Sequence, residues 1–494
     1  MPLSIAEIAE MAAGTLSDVA DPAARITGPV VADSRAVVPG ALFVALPGAR
    51  HDGHDFVARA VADGAGLVLA ARPVGVPAVV VDDTVHALGR FAHRYLAALS
   101  APLVVGITGS SGKTSTKDII AQLLAERGPT VAPVGSFNTE VGLPLTVLRA
   151  DAATRYLVLE LSARGLGHIA YLAKISQPSI GVVLNVGTAH VGEFGSSEVV
   201  AQAKGELVEA LPSDGVAVLN ADDANVIAMR SRTTARVVTF GTADAADVRA
   251  SQVRLDEQAR PTFQLTAAGG DATVTLALHG AHHVSNALAA ATVALEAGFE
   301  IDEVAAALGR VWPMSRWRME VADRADGVTV INDAYNANPE SMGAALNALA
   351  AMGAARASGR TFAVLGLMAE LGAHSDAAHR ATGATAAALG IDHLVVVGEA
   401  ASEIANGAVA AGFAAGATSV VDDVAQAIAF LDGHLRPGDV VLVKASRSAD
   451  LQRVAERLLE GAHAGNTVGP PTVNTVGPLT VNTVGPPKVN GAAR

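Results

Sequence analysis

Apolar positions along the chain fall into two alternating rhythms. Short β-branched runs recur, each followed by apolar residues three and four positions apart, so strand and helix alternate. The run from Val104 to Ile107 suits a buried parallel strand, and Ile119, Ile120, Leu123 and Leu124 follow it at helical spacing. Residues 1 to about 98 mix short helices and strands, with GALFVALPG and GLVLA as strand candidates and MPLSIAEIAEMAAG as an opening amphipathic helix. From about 99 to 312 the strand-then-helix pattern repeats, most clearly at Leu103 to Ile107, Tyr156 to Leu161, Ile180 to Leu184 and Val216 to Leu219. It restarts from about 313 to 462, with strands at Val328 to Ile331, Phe362 to Leu365, Leu394 to Val397 and Val440 to Val443, and closes on the amphipathic SADLQRVAERLLEGA. This rhythm predicts an α/β protein of three domains: a small N-terminal α/β domain over 1–98, a central doubly wound sheet of the P-loop ATPase type over 99–312, and a Rossmann-like C-terminal domain over 313–462. Beyond them NTVGPPTV, NTVGPLTV and NTVGPPKV repeat from Asn466, and this Pro-Gly-rich stretch predicts a flexible tail over 463–494 without chemistry of its own.

Composition narrows the classes of function. A chain of 494 residues is too long for one ordinary core. Half of it is hydrophobic but only 3% is aromatic, which predicts aliphatic, alanine-rich cores. Glycines, prolines and charges interrupt every apolar run before the roughly 18 residues a membrane span needs. The opening lacks the basic start and apolar core of a signal peptide, so a cytoplasmic protein is expected. There is no cysteine, which excludes disulfides, thiolate metal sites and a cysteine nucleophile. Any metal must be held by oxygen or histidine. A net charge of −13 disfavours a large nucleic-acid interface and fits a small-molecule substrate. The expected state is a monomer.

The stretch VVGITGSSGKTSTKDIIAQLL carries the first chemical signal. Gly109 and Gly112 let the backbone turn tightly so that successive amides can face an anion, Lys113 adds charge, and Thr114 offers a hydroxyl to a metal. The common GxxxxGK[ST] form would need glycine at 107, where this chain has Ile107; its glycine falls at 106. Glu160 ends an apolar strand and His190 follows another, both where doubly wound sheets present ligands. Lys204 lies in SSEVVAQAKGELVEAL, whose apolar stripe is Val200, Ala203, Leu207 and Leu211, and spacing alone reads it as a surface lysine lying along that helix. Asn138 in FNTEVG reads by itself as a turn former. Near the N-terminus Ser34, Arg35, His51, Asp52, Gly53 and His54 form a polar cluster around the strand LFVAL, where arginine suits a diphosphate and serine a uracil or ribose edge. A zinc site at HDGH would need further ligands that the sequence does not reveal.

Taken together, the loop Thr108-Gly109-x-x-Gly112-Lys113-Thr114 and the motifs FNTEVGLPLTVL, LELSARGLGHI, NVGTAHVGEFGS, AKGE, HHVSNALAA, RWRMEV, INDAYNANPESM and VLVKASRSADL resemble the Mur ligase family, in the family's order through residues 104 to 451. DSRAVVPGALFVALPGARHDGHDF is similar to its nucleotide-sugar-binding segment. The family makes the peptide of bacterial peptidoglycan with ATP. Within it, DAYNANPESM and VKASRS are most similar to the type that joins D-alanyl-D-alanine to UDP-N-acetylmuramoyl-tripeptide, and the Asp-Asn-Pro-Arg signature of the diamino-acid-adding type is absent.

The resemblance implies a role for each matched residue. ATP is held by Thr108, Gly109, Ser110, Ser111, Gly112, Lys113, Thr114 and Ser115, with Asn286 at the adenine and with Arg318 and Asp333 engaging when the C-terminal domain closes. Two magnesium ions are held by Thr114, Glu160, His190 and Lys204, the last as a carbamylated side chain, and Asn138 lies near the γ phosphate and the reacting carboxylate. Ser34, Arg35 and His54 contact the UDP-sugar, while Tyr335, Asn336, Asn338, Lys444, Ser446 and Arg447 serve the peptide substrates or the acyl phosphate. The chain departs from the type at Leu367 in GLMAELG, where an acidic residue is usual, which leaves Glu370 as the neighbouring carboxylate. Alternatives are another Mur-type or folylpolyglutamate-type ligase, or a nucleotide-binding scaffold without the reaction.

Overall fold

The structure, a computed structural model, describes residues 3–48, 51–187, 196–356 and 358–460. His190 and the 463–494 repeats lie outside the described residues. The fold is α/β with three domains, each built on its own main sheet. The first sheet runs Thr15–Ser17, Ala78–Val80, Leu67–Ala70, Leu42–Val44, Val30–Val31, parallel except for its first member. The opening helix, Ile5–Ala12, starts with a reciprocal cap: the Glu7 N–H donates to Ser4 Oγ and the Ser4 N–H to Glu7 Oε2.

The central sheet has nine strands. Leu103–Thr108 is flanked in parallel by Tyr156–Glu160 and Ile180–Val183, with Ile107 opposite Glu160 and Thr108 opposite Val183. Val105, Ile107 and Val158 pack into the core on one face, and Val104, Leu157 and Leu159 into the core on the other, which is why these runs are apolar at every position. That register brings Thr108, Glu160 and the chain after Val183 together at the carboxyl edge. Glycine at 106 has its use here: a Cβ would lie 3.3 Å from Leu207 Cδ1, so its absence lets the helix Ser197–Glu209 pack closely on the central strand.

The strand-then-helix rhythm does not continue unbroken to 312. Val248–Leu255, Pro261–Ala267 and Gly270–Thr275 extend the sheet as antiparallel neighbours. No helix separates them, so they can only return antiparallel. Their alternating burial, with Phe263 and Leu265 inside and Gln264 half-buried between them, is that of strands covered on one face.

The third sheet is ordered Glu320–Asp323, Thr329–Asn332, Val440–Lys444, Thr361–Leu365, His393–Val397, Thr418–Val421, parallel except at the Glu320–Asp323 edge. Val440–Lys444 lies between two strands that come much earlier in the chain, so the loops after Asn332, Leu365 and Lys444 open side by side. Among the described residues, no helix is long and apolar enough to cross a membrane.

Candidate active site

The glycine loop takes its shape from contacts that only glycine permits. Gly112 has φ +79°, and a Cβ there would stand 2.6 Å from Asn286 Oδ1. The Ser110 and Ser111 N–H groups both donate to Asn185 Oδ1 at 2.9 Å, which pins the loop to the end of the neighbouring strand. The helix Lys113–Ala125 begins directly afterwards, and the first N–H groups of a helix have no acceptor within it. Such N–H groups are the kind that can face an anion. Lys113 folds back so that its ammonium donates to Gly109 O at 2.7 Å. Burial pulls its pKa down, against the nearby Glu160 carboxylate and with a smaller contribution from Arg318.

Glu160, 1% exposed, is the centre of the cluster. Its Oε2 accepts from the Thr114 hydroxyl at 2.8 Å and its Oε1 from Asn138 Nδ2 at 2.7 Å. Carboxylate and hydroxyl oxygens side by side are a donor set for a hard divalent cation. Lys204 is buried, contrary to the surface position that spacing alone predicts. It stands four residues after Val200 and so shares the inward face of the helix. Burial, and to a smaller extent the Lys113 ammonium, lower its pKa to about 7.

The C-terminal domain supplies a second cluster. Lys444, 2% exposed, donates to Asp333 Oδ2 at 2.6 Å and to Asn336 O at 2.9 Å, and Asp333 Oδ1 accepts from the Met319 N–H. The Arg318 guanidinium lies 4.1 Å from the Tyr335 ring centre, with its Nε buried and without a hydrogen-bond partner. The Tyr335 hydroxyl meets Ser136 Oγ of the central domain at 2.5 Å. Ser446 receives the Ala369 N–H on its hydroxyl and gives its own N–H to Leu367 O, so the loop carrying Leu367 is held through its backbone. Glu370 beside it has φ +64°.

Several expected ligand contacts are committed within the fold. Asn338 caps the helix Pro339–Ala354 by accepting from the Ser341 N–H. Arg447 pairs with Asp450 and stacks on Trp317. Asn286 accepts from the Thr116 hydroxyl beneath the glycine loop. His54 has both ring nitrogens engaged: Nδ1 lies 2.6 Å from Asp52 Oδ1, and Nε2 accepts from the Ala71 N–H. Ser34 is buried, and the exposed Arg35 is chelated by Asp33. Among the described residues, no group of three or more His, Cys, Asp or Glu side chains is arranged to hold a metal ion, at HDGH or elsewhere.

A pocket beside the loop helix is lined by Ser115, Asp118, His279, His283, Trp312 and Arg318. Sequence reasoning singled out only Asn286 from HHVSN; the signal for the rest was the histidine pair before it. His282 Nδ1 is buried without a partner. Burial pushes the His282 pKa down to about 4, opposed by Asp333 and reinforced by Lys444, and burial pushes His283 well down in the same direction.

Comparison with known proteins follows these three domains. Family models match residues 29–96 (Mur ligase family, catalytic domain), 107–294 (Mur ligase middle domain) and 317–447 (Mur ligase, glutamate ligase domain). The chain is 51% identical to the UDP-N-acetylmuramoyl-tripeptide--D-alanyl-D-alanine ligase of Mycobacterium tuberculosis over 94% of its own length and 99% of that protein. It superposes on MurF from Acinetobacter baumannii with a TM-score of 0.84 and 31% identity, covering 93% of this chain and 99% of that one. For the MurF ligase of Thermotoga maritima in complex with ADP the TM-score is 0.76 at 31% identity, over 88% and 99%.

The buried histidines predict an acid-sensitive fold. The folded pKa of His282 is below the ordinary 6.5, so the unfolded chain binds the extra proton. Stability therefore falls as pH drops from 6.5 towards 4, by at most about 1.4 kcal/mol per pH unit from this group. Urea titrations across that range will show a shallower slope for His282→Asn than for the unaltered chain.

Proposed function

The chain belongs to the Mur ligase family, and from that membership we propose that it joins D-alanyl-D-alanine to UDP-N-acetylmuramoyl-tripeptide in an ATP-dependent, ADP-forming ligation. What carries this reading over other ligases of the fold is similarity along almost the whole chain to enzymes bearing that name. The folylpolyglutamate-type alternative is not favoured, because the matches include the family's N-terminal model at residues 29–96. A cytoplasmic site of action is part of the same proposal, since ATP and a UDP-linked precursor are cytoplasmic metabolites.

Amide formation from a carboxylate needs a leaving group. The γ-phosphoryl group of ATP passes to the terminal carboxylate of the tripeptide with release of ADP, the unprotonated dipeptide amine attacks the acyl carbon, and the tetrahedral intermediate gives up a proton from that nitrogen and expels phosphate. The protein's part is to neutralise charge on the moving phosphoryl group, align the acceptor and exclude water. Lys113 and the helix amides suit the β and γ phosphates. Asn138, which donates to Glu160, is assigned to the γ phosphate and the acceptor carboxylate on the resemblance. The orphaned Arg318 Nε gives the C-terminal domain a donor to place on the nucleotide. Thr114 and Glu160 have the oxygen donors that fit magnesium, which when bound supplies charge neutralisation on the phosphates. His190 joins that set on the resemblance alone.

Lys204 is proposed to act as a carbamate. An amine whose pKa is held to about 7 is partly free of its proton at neutral pH, so its lone pair can bond the carbon of carbon dioxide and release a proton, leaving an anionic oxygen donor.

Phosphate release with ATP and magnesium will require both UDP-muramoyl tripeptide and D-alanyl-D-alanine, with a product heavier by the dipeptide less water. Tight ATP binding without turnover would instead favour the scaffold. Lys204→Ala will lose turnover and recover part of it with short carboxylic acids; full activity of that variant would exclude the carbamate.

A further inference from the structure

Lys117, one turn beyond Lys113 on the loop helix, is 1% exposed. A buried ammonium must find oxygen partners. This one donates to Pro133 O at 2.7 Å and Gly135 O at 3.2 Å, and lies 2.5 Å from Asp118 Oδ1. The two carbonyls belong to the segment that leaves the edge strand Thr130–Val131 and leads to Ser136 and Asn138. Pro133 is buried, but beyond it the segment has little apolar anchorage: Val134 is 46% exposed, and no side chain from Val134 to Glu140 is buried. At Gly135 the chain turns with φ +65° around the ammonium. The far end of the segment carries the contacts of Asn138 to Glu160 and of Ser136 to Tyr335 of the C-terminal domain, and the Ser162 N–H donates to Asn138 O at 3.1 Å.

We propose that Lys117 is a positioning residue for the ligation: its ammonium fixes segment 133–138, and through it the alignment of Asn138 on Glu160 and the docking of Tyr335 on Ser136. The inference rests on the ligase reading. It assigns Lys117 no contact with nucleotide.

The test compares the full-length chain with Lys117→Met and with Lys117→Met/Asp118→Asn, in which both buried charges are removed so that no unpaired carboxylate remains. Expected are a fall in kcat of about 10- to 100-fold, an ATP dissociation constant changed by less than about threefold, and faster amide hydrogen exchange confined to the 131–140 region. Tyr335→Phe will cost activity in the unaltered chain and much less in the Lys117→Met background. A folded double variant with unaltered kcat and exchange, or a loss carried entirely by ATP affinity, would overturn the proposal. Failure of the unaltered chain to ligate would count against the ligase reading instead, and the exchange measurement would still decide whether Lys117 fixes the segment.

Discussion

The site is organised around one carboxyl group, Glu160, placed where almost no water reaches it. An ionised group in such a place is tolerated only when donors replace its hydration. Glu160 draws them from two separate parts of the central domain: the Thr114 hydroxyl from the start of the loop helix, and the Asn138 amide from the segment beyond the edge strand. The carboxylate in turn favours the charged form of the nearby Lys113 ammonium, although burial outweighs it. The strand register makes this convergence possible, because Glu160 lies level with Ile107, just ahead of the glycine turn.

The second domain contact builds on that centre. Asn138 and Ser136 are two residues apart, so the segment that serves Glu160 also presents the hydroxyl that meets Tyr335. Tyr335 carries the Arg318 guanidinium on its ring, and the loop behind it is held by the Asp333–Lys444 pair. A displacement of the C-terminal domain therefore bears on the same short segment that aligns the carboxylate. Under the proposed reading, domain closure and alignment of the acceptor are one mechanical event.

The architecture was largely legible because its parallel strands are buried on both faces and read as unbroken β-branched runs, as at Val104 to Ile107. The antiparallel extension from Val248 to Thr275 was missed because one face is exposed and its polar residues dilute the run. Among site residues, the glycine loop and the strand-end Glu160 announced themselves by type and spacing. Lys117 did not, since a lysine after a GKTST sequence reads as solvated until the carbonyls of Pro133 and Gly135 are seen to close over it. His54 reads as a ligand until the Ala71 amide, which comes from a different loop, takes its second nitrogen. Such partners are set by tertiary placement, and local pattern carries no trace of them.

The cations near the site divide into two kinds. Lys117 and Lys444 are buried against oxygens of the protein and are complete as they stand. Lys113 and Lys204 are different: burial lowers both pKa values, and the Lys113 charge further lowers that of Lys204. Arg318 likewise keeps a buried Nε without an acceptor. Glu160 opposes this positive field, but its oxygens are already taken by Thr114 and Asn138. Under the proposed reading, a polyanion bound with a divalent cation offsets the cost of burying these cations beside one carboxylate. In that reading the nucleotide triphosphate supplies the charge, and the two kinds of lysine then have separate tasks: Lys117 and Lys444, in ion pairs, hold the walls, and Lys113 and Lys204, whose pKa values burial lowers, face the ligand.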